Sequence, residues 1–354
     1  MKAAKRYGLA LVFMAVFFVF ASAALDTKFY GYQWLRYTDV VTGMDVQGAS
    51  GLSIPRTYLR WKMEDKDAGW AGELTLDINN VKGGQEVSAT AVSYTSTAIA
   101  GKLDFAIWPK YAYVDFTKIP GLSDMGVKLR VGQQKNYFGT VELWEYPLIE
   151  KTITDLRKVC SSADLGAALL GEIPEGFGQY ELAIHNGSGY KLLDANVEKQ
   201  YSASVMVLPI TGLMLRGSYM SNNSNAYGLT AKTKAATDVV AQYTYGPFQV
   251  LAEYVAQKDA AAASASKTGV SVGYMFFAKY DVFEWLQAAF RFDNWNPDTK
   301  TKNDETNLYI AGVNIKANEN ILVQLNYQFE QPMYGGYTQS KHVNTLMAQV
   351  KWGW

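Results

Sequence analysis

The sequence is short of most of what builds catalytic and metal sites. Its 354 residues include one cysteine, Cys160, and two histidines, His185 and His342. A lone cysteine excludes an intrachain disulfide, and two scattered histidines give no ligand spacing, so neither a metal nor any other cofactor is expected. In His185-Asn186-Gly187-Ser188-Gly189 a histidine stands near a serine. Neighbours at a strand end point to opposite faces or into a loop, which is not a nucleophile–base geometry, and no catalytic residue is assigned. No helical pattern follows Gly187-Ser188-Gly189, so a phosphate-cradling turn fails its context. With 33 basic and 33 acidic residues there is no surplus of positive charge to mark a nucleic-acid partner. Beyond residue 20 no stretch approaches 18 consecutive apolar residues, so no membrane-spanning helix is expected.

The first 23 residues read differently from the rest. Lys2, Lys5 and Arg6 precede the apolar run Leu9 to Phe20, and Ala21-Ser22-Ala23 follows with the small side chains of a cleavage site. That order predicts a cleaved signal peptide over 1–23 and a mature domain over 24–354. Removing three basic residues leaves 30 against 33 acidic, a net charge of −3.

What the chain has in quantity is alternation. Ile321, Val323, Leu325, Tyr327 and Phe329 alternate with Leu322, Gln324, Asn326, Gln328 and Glu330, and Phe248, Val250, Ala252 and Tyr254 with Gln249 and Glu253. Period-2 spacing puts one set on each face of a strand. Sixteen such runs are predicted, near 28–38, 53–63, 70–79, 105–117, 125–134, 162–172, 178–186, 200–208, 211–220, 236–245, 247–257, 267–277, 284–294, 306–316, 319–329 and 343–354. The count is open between fourteen and eighteen. Connections alternate long and short, with Pro209-Ile210, Gly246 and Ala317-Asn318 among the short ones. Strands crossing a membrane up and down produce this rhythm, with tight periplasmic turns and long outer loops. The expected fold is therefore all-β: an antiparallel outer-membrane barrel with both termini periplasmic. It accounts for 24 Tyr and 9 Trp, since such barrels carry aromatic girdles at both lipid interfaces. The last strand places Leu346, Ala348, Val350, Trp352 and Trp354 on one face, and Trp352 and Trp354 resemble the terminal signal read by the barrel-assembly machinery.

Several segments resemble the phosphate-selective porin O and P family. SIPRTYLRWKMEDKDAGWAGELTLDIN (53–79) is similar to its second and third strands, GVKLRVGQQKNYFG (126–139) to its R-x-G-Q-x-K element, and ADLGAALLGEI (163–173) with YELAIHNGSG (180–189) to the next hairpin. The resemblance implies a sixteen-stranded, homotrimeric porin with an inward-folded third loop, here about 135–161. Phosphate-binding members carry a lysine cluster on that loop. This chain has Lys135, Lys151, Arg157 and Lys158 against Glu142, Glu145, Glu150 and Asp155.

Parity then nominates the interior. Arg56, Arg60 and Lys62 share a strand face, as do Lys128 and Arg130, and Glu73, Asp77, Asp115, Glu181 and Glu253 supply facing acids; a barrel's lumen is its polar face. Further inward charges are Arg216, Arg291, Lys316, Lys351, Asp293 and Glu330. Lys135, Glu142, Trp144, Glu145 and Arg157 are the candidate constriction residues, with the aromatics of that loop expected to pack against the inner wall. Nine inward bases against seven acids predict weak or no anion preference. The expected function is a water-filled pore for small hydrophilic solutes and ions, embedded in outer-membrane lipids. A phosphate- or sugar-selective channel is the alternative, and an outer-membrane hydrolase would depend on His185.

Overall fold

The computed structural model describes residues 25–42, 50–81, 104–144, 150–192, 194, 198–224, 232–260, 269–332 and 342–354. The proposed signal segment lies outside the described residues. Sixteen strands follow in order: β1 (Asp26–Thr42), β2 (Gly51–Asp65), β3 (Trp70–Val81), β4 (Asp104–Phe116), β5 (Val127–Lys135), β6 (Ala163–Ile173), β7 (Gly178–His185), β8 (Gln200–Ile210), β9 (Leu213–Ser224), β10 (Lys232–Tyr245), β11 (Phe248–Ala260), β12 (Gly269–Phe283), β13 (Leu286–Asn296), β14 (Thr306–Lys316), β15 (Ile321–Pro332) and β16 (Val343–Gly353). Each pairs antiparallel with its successor, and β1 also pairs with β16, closing the barrel. Closure leaves no strand edge with unpaired backbone groups, the condition for a sheet to stand in hydrocarbon. No helix among the described residues is long and apolar enough to cross a membrane.

The seam is held at its end by the last residue. Trp354 and Gly31 exchange backbone hydrogen bonds of 3.1 and 3.2 Å. A β-carbon on Gly31 would lie 2.6 Å from the Trp354 ring, so the bare α-carbon seats the indole. Short turns occupy 66–69, 174–177, 211–212, 246–247, 284–285 and 317–320, at the end where Asp26 pairs with Glu64 beside the first turn. The 117–126 connection at this end is longer and includes a single 3-10 turn, Ser123–Met125. Connections at the other end run from seven residues to the 27 between β5 and β6.

Three turns differ in detail from their sequence reading, the one at Ala317-Asn318 by extending to Asn320. Pro209 and Ile210 belong to β8, and the turn is Thr211-Gly212, with Gly212 at φ 84°. Proline has no N–H for the ladder, and Pro209 sits where the β8–β9 register slips between Val207 and Ile210. Similarly, the turn at Gly246 takes in Pro247.

The outer face is apolar and aromatic. Near the long connections, Tyr274, Phe292, Tyr309 and Phe329 form a chain of rings with centroids 6.0, 4.8 and 5.9 Å apart. Near the short turns, Phe283 stacks on Trp285 at 5.5 Å, and Tyr245, Phe248 and Trp354 are exposed. Aromatic rings thus stand on the outer face near both ends of the strands, where lipid interfaces select them. Sixteen strands about 4.8 Å apart and tilted about 40° close at a backbone radius of about 16 Å, too wide for wall side chains alone to fill.

Candidate functional site inside the barrel

Register assigns the faces. Arg56 stands opposite Trp34, Tyr58 opposite both Tyr32 and Asp77, and Lys62 opposite Glu73. Trp34, Tyr58, Glu73, Thr75 and Asp77 are buried, whereas Phe29 and Trp61 of the alternate set are exposed. Arg56, Arg60 and Lys62 therefore share the inner wall with a group of rings. The Arg56 guanidinium lies 5.8 Å from the Trp34 ring and 5.1 Å from Tyr58. Arg60 is 5.1 Å from both Tyr32 and Tyr58 and donates to the Tyr32 hydroxyl at 2.9 Å. Lys351 sits 4.7 Å over Tyr32. The negative faces of these rings hold the cations without cancelling their charge. Arg56 pairs with Asp77 at 3.4 Å, but Arg60, Lys62 and Lys351 form no ion pair among the described residues.

The next strands carry their charges in pairs. Arg130 makes a two-pronged contact with Asp115 at 2.6 and 2.7 Å and lies 3.8 Å over the Tyr113 ring, while Lys128 approaches the same carboxylate at 3.2 Å. Glu181 is buried with its carboxylate 3.5 Å from Ser204 Oγ. Between β5 and β9 a recess of about 310 Å³ is lined by Lys128, Tyr137, Glu181, Ser204 and Arg216, among others.

The connection between β5 and β6 is fastened to the opposite wall. Arg216 on β9 donates to the Tyr137 carbonyl at 2.6 Å and to Glu142 at 2.9 Å. Glu253 on β11 accepts from Thr140 N at 3.0 Å and Thr140 Oγ1 at 2.7 Å. Arg291 on β13 donates to the Lys151 carbonyl at 2.7 Å while chelating Asp293 at 2.8 and 2.6 Å. Arg157 reaches Glu330 on β15 at 3.6 Å. Trp144 packs edge-on to Phe277 at 5.0 Å, and its Nε1 donates to the Glu150 carbonyl at 2.7 Å. Phe138, Ile153, Val159 and Cys160 pack with Val240, Val255 and Met275 from the wall, the segment's apolar anchor. Burial pushes the Cys160 thiol up, keeping it protonated near neutral pH. Lys135 ends β5 opposite Ala163, and Glu145 lies outside the described residues. Trp352 stands on β16, opposite Gln33 and Ile321.

Several interior residues escaped strict alternation. Counting by twos from Asp115 through Tyr113 and Tyr111 turns Pro109 inward. Instead Tyr111 pairs with Thr75 and Pro109 with Leu76, leaving Lys110 as an extra residue in a bulge. A bulge re-aims side chains, and here it buries Lys110, which donates to the Tyr58 hydroxyl at 2.6 Å. Only the proline hinted at it. From the 186–199 connection, Tyr190 donates to Asp77 at 3.0 Å, and Lys191 lies 5.9 Å from Trp108. Burial, then the nearby Asp77, push the Tyr190 hydroxyl up, so it remains a donor at neutral pH. Asp238 was missed because its inward neighbours Ala236 and Val240 are apolar.

A ladder of side-chain amides also runs along the inner wall from β12 to β1. Gln287 donates to Asp281 at 2.6 Å, Asn314 to Gln287 at 2.8 Å, Gln324 to Asn314 at 2.7 Å and Gln349 to Gln324 at 3.3 Å. Arg36 completes it by donating to Gln349 at 2.8 Å, which carries the ladder across the β16–β1 seam. His185 is buried on β7 with neither ring nitrogen hydrogen-bonded among the described residues, so no nucleophile is placed on it. No grouping of three or more His, Cys, Asp or Glu side chains suited to a metal occurs among the described residues.

No family model matches the chain, and no curated protein matches it in sequence. Solved structures do match its shape. An anion-selective porin from Comamonas acidovorans aligns with a TM-score of 0.65 and 11% identity, covering 94% of this chain and 100% of its own. OmpT of Vibrio cholerae, an outer-membrane protein, aligns at 0.64 and 12% identity over 94% and 99%. The outer-membrane channel DcaP of Acinetobacter baumannii aligns at 0.63 and 12% identity over 94% and 99%. At such identities the likeness is one of fold: this chain shares the closed β-barrel of these outer-membrane proteins.

Proposed function

We propose that the protein is an outer-membrane porin, a water-filled channel for passive diffusion of small hydrophilic solutes and ions. The observation that carries this reading is a closed sixteen-stranded barrel, apolar outside and charged inside, crossed by one connection tied to the wall. Barrels of this strand number leave an aqueous channel. In this reading 1–23 is the export signal, the short turns and both termini face the periplasm, and Trp352 and Trp354 direct assembly. The connection between β5 and β6, with Lys135 at its mouth and Glu142, Trp144, Glu145 and Arg157 along it, sets the size limit, and Arg56, Arg60, Lys62, Lys128 and Arg130 line the passage with Glu73, Asp77, Asp115, Glu181 and Glu253. Because Arg130, Arg216 and Arg291 are each matched by a carboxylate, with Lys128 sharing Asp115 with Arg130, net positive field comes mainly from the β1–β4 and β16 wall, which supports a weak anion preference. A trimer follows from the motif resemblance, and one solved OmpT structure is of a trimer form.

Planar-bilayer recording of the refolded protein tests the reading. Discrete conductance steps with a reversal potential displaced modestly toward the anion are expected. Absence of conductance from a folded barrel would sink the pore, and strong cation preference would sink the anion preference. A phosphate- or sugar-selective channel would instead show solute block at low concentration. Hydrolysis lost in His185→Ala would establish the enzymatic alternative.

A further inference from the structure

Beneath Gly139 and Thr140 two carboxyl groups meet inside the wall. Asp238 on β10 and Glu253 on β11 are diagonal neighbours, since Val240 is the direct partner of Glu253, and their carboxyls lie within hydrogen-bonding reach of each other. Both are buried, with relative exposures of 1% and 2%. Glu253 has donors for both oxygens, from Thr140 N and Thr140 Oγ1. Asp238 has none: neither oxygen accepts a hydrogen bond, and neither residue joins an ion pair among the described residues.

The surrounding charges are committed elsewhere. Arg216 on β9 is bound to Glu142, Ser204 and the Tyr137 carbonyl, and Arg291 on β13 to Asp293 and the Lys151 carbonyl. Lys234, also on β10, donates to the Lys158 carbonyl. Cys160 from the crossing segment is a buried thiol, and β12 presents Met275 and Phe277. Two adjacent, dry carboxylates with no cation are not a stable arrangement. One proton resolves it, carried by Asp238, which has no donor, and given to Glu253, which then accepts from three directions.

We infer that Asp238 and Glu253 share a single proton, and that this proton latches the 136–144 stretch of the crossing connection, through Gly139 and Thr140, to the barrel wall. The link is steric. A β-carbon on Gly139 would fall 2.4 Å from Glu253 Oε1 and 3.0 Å from the Asp238 carboxyl, so the segment lies directly on the pair. Once the proton is lost to solvent the second carboxylate needs water, and water enters only where Gly139 and Thr140 lift away. A second proton leaves the Glu253 carbonyl oxygen able to accept from Thr140, so release belongs to the alkaline side alone. The latch concerns the segment whether or not the barrel conducts. Its effect on permeation rests on the pore reading.

Hydrogen exchange of the Thr140 amide in the full-length protein, corrected for the intrinsic pH dependence of exchange, tests this directly. Between pH 7 and pH 10 the corrected protection should fall at least tenfold in the wild type. It should stay constant within twofold in Asp238→Asn, whose amide donates to Glu253 at every pH. Protection independent of pH in the wild type, or an equal fall in Asp238→Asn, overturns the proposal. So does protection that follows added sodium, magnesium or calcium instead of pH, which would assign the pair to a metal cation. Conductance recorded over the same range separates the two readings, because a non-conducting barrel with the expected exchange pattern removes the pore and leaves the latch.

Discussion

Replacing Arg291 by leucine removes the most deeply buried arginine of the inner wall, and the structure sets the size of the consequence. Arg291 and Asp293 have side-chain exposures of 1% and 0% and face each other through two hydrogen bonds. Taking away the cation leaves Asp293 as a buried, unpaired carboxylate, a loss of about 3–5 kcal/mol. The Lys151 carbonyl also loses its donor, worth about 1 kcal/mol, and Trp144 loses the guanidinium 5.1 Å from its ring. Replacing both members by leucine removes the orphaned charge, and a buried pair exchanged for apolar groups is commonly close to neutral. Arg291→Leu should therefore be destabilised by about 4 kcal/mol, with most of that recovered in Arg291→Leu/Asp293→Leu. Reversible urea unfolding in lipid vesicles, followed by tryptophan fluorescence, measures both. The double variant should still show a looser crossing segment, seen as faster proteolysis near Lys151. A loss under about 1 kcal/mol in the single variant, or a double variant no more stable than the single one, refutes the reasoning.

Gln324→Leu interrupts the amide ladder, leaving Asn314 Oδ1 without its donor from Gln324. The same unfolding assay should register about 1–3 kcal/mol, the cost of one orphaned buried group. Cys160 should react with a maleimide at pH 7.5 at least ~100-fold more slowly in the folded barrel than in urea, since burial holds the thiol protonated and covered. Gly31→Val puts a side chain where the Trp354 indole lies, so less folded, heat-modifiable barrel is expected on electrophoresis after refolding. Arg60→Gln/Lys62→Gln removes two cations that form no ion pair among the described residues. In a salt gradient the reversal potential should move toward the cation, and an unchanged potential would remove this wall from the account of selectivity.

Much of the fold was legible because the physics behind it is local. A half-buried strand writes its two faces into every second residue. The runs at 247–257, 306–316 and 319–329 accordingly became β11, β14 and β15 within a few residues. The facing of Arg56, Arg60, Lys62, Lys128 and Arg130 followed from the same period. Alternation failed at Pro209 and Lys110, where a register slip broke the period. It was silent at Asp238, whose inward neighbours are apolar because another segment covers them.

The sequence by itself determined the strands, their up-and-down order and the side of the wall on which most charges stand, since those depend on neighbours along the chain and on the sign of hydropathy. Only the tertiary structure decided which charges oppose which. Arg130 is neutralised by Asp115, Arg291 by Asp293 and Arg216 by Glu142, whereas Arg60 lies against Tyr32 and Tyr58, Lys110 against Tyr58 and Lys62 over Tyr30. Contacts across the inner wall join residues as distant in sequence as Arg36 and Gln349, 313 positions apart, and Arg291 and the Lys151 carbonyl, 140 apart. Their geometry is set by barrel closure, strand stagger and the path of the 136–162 segment, and none of these is encoded in the spacing of any single strand.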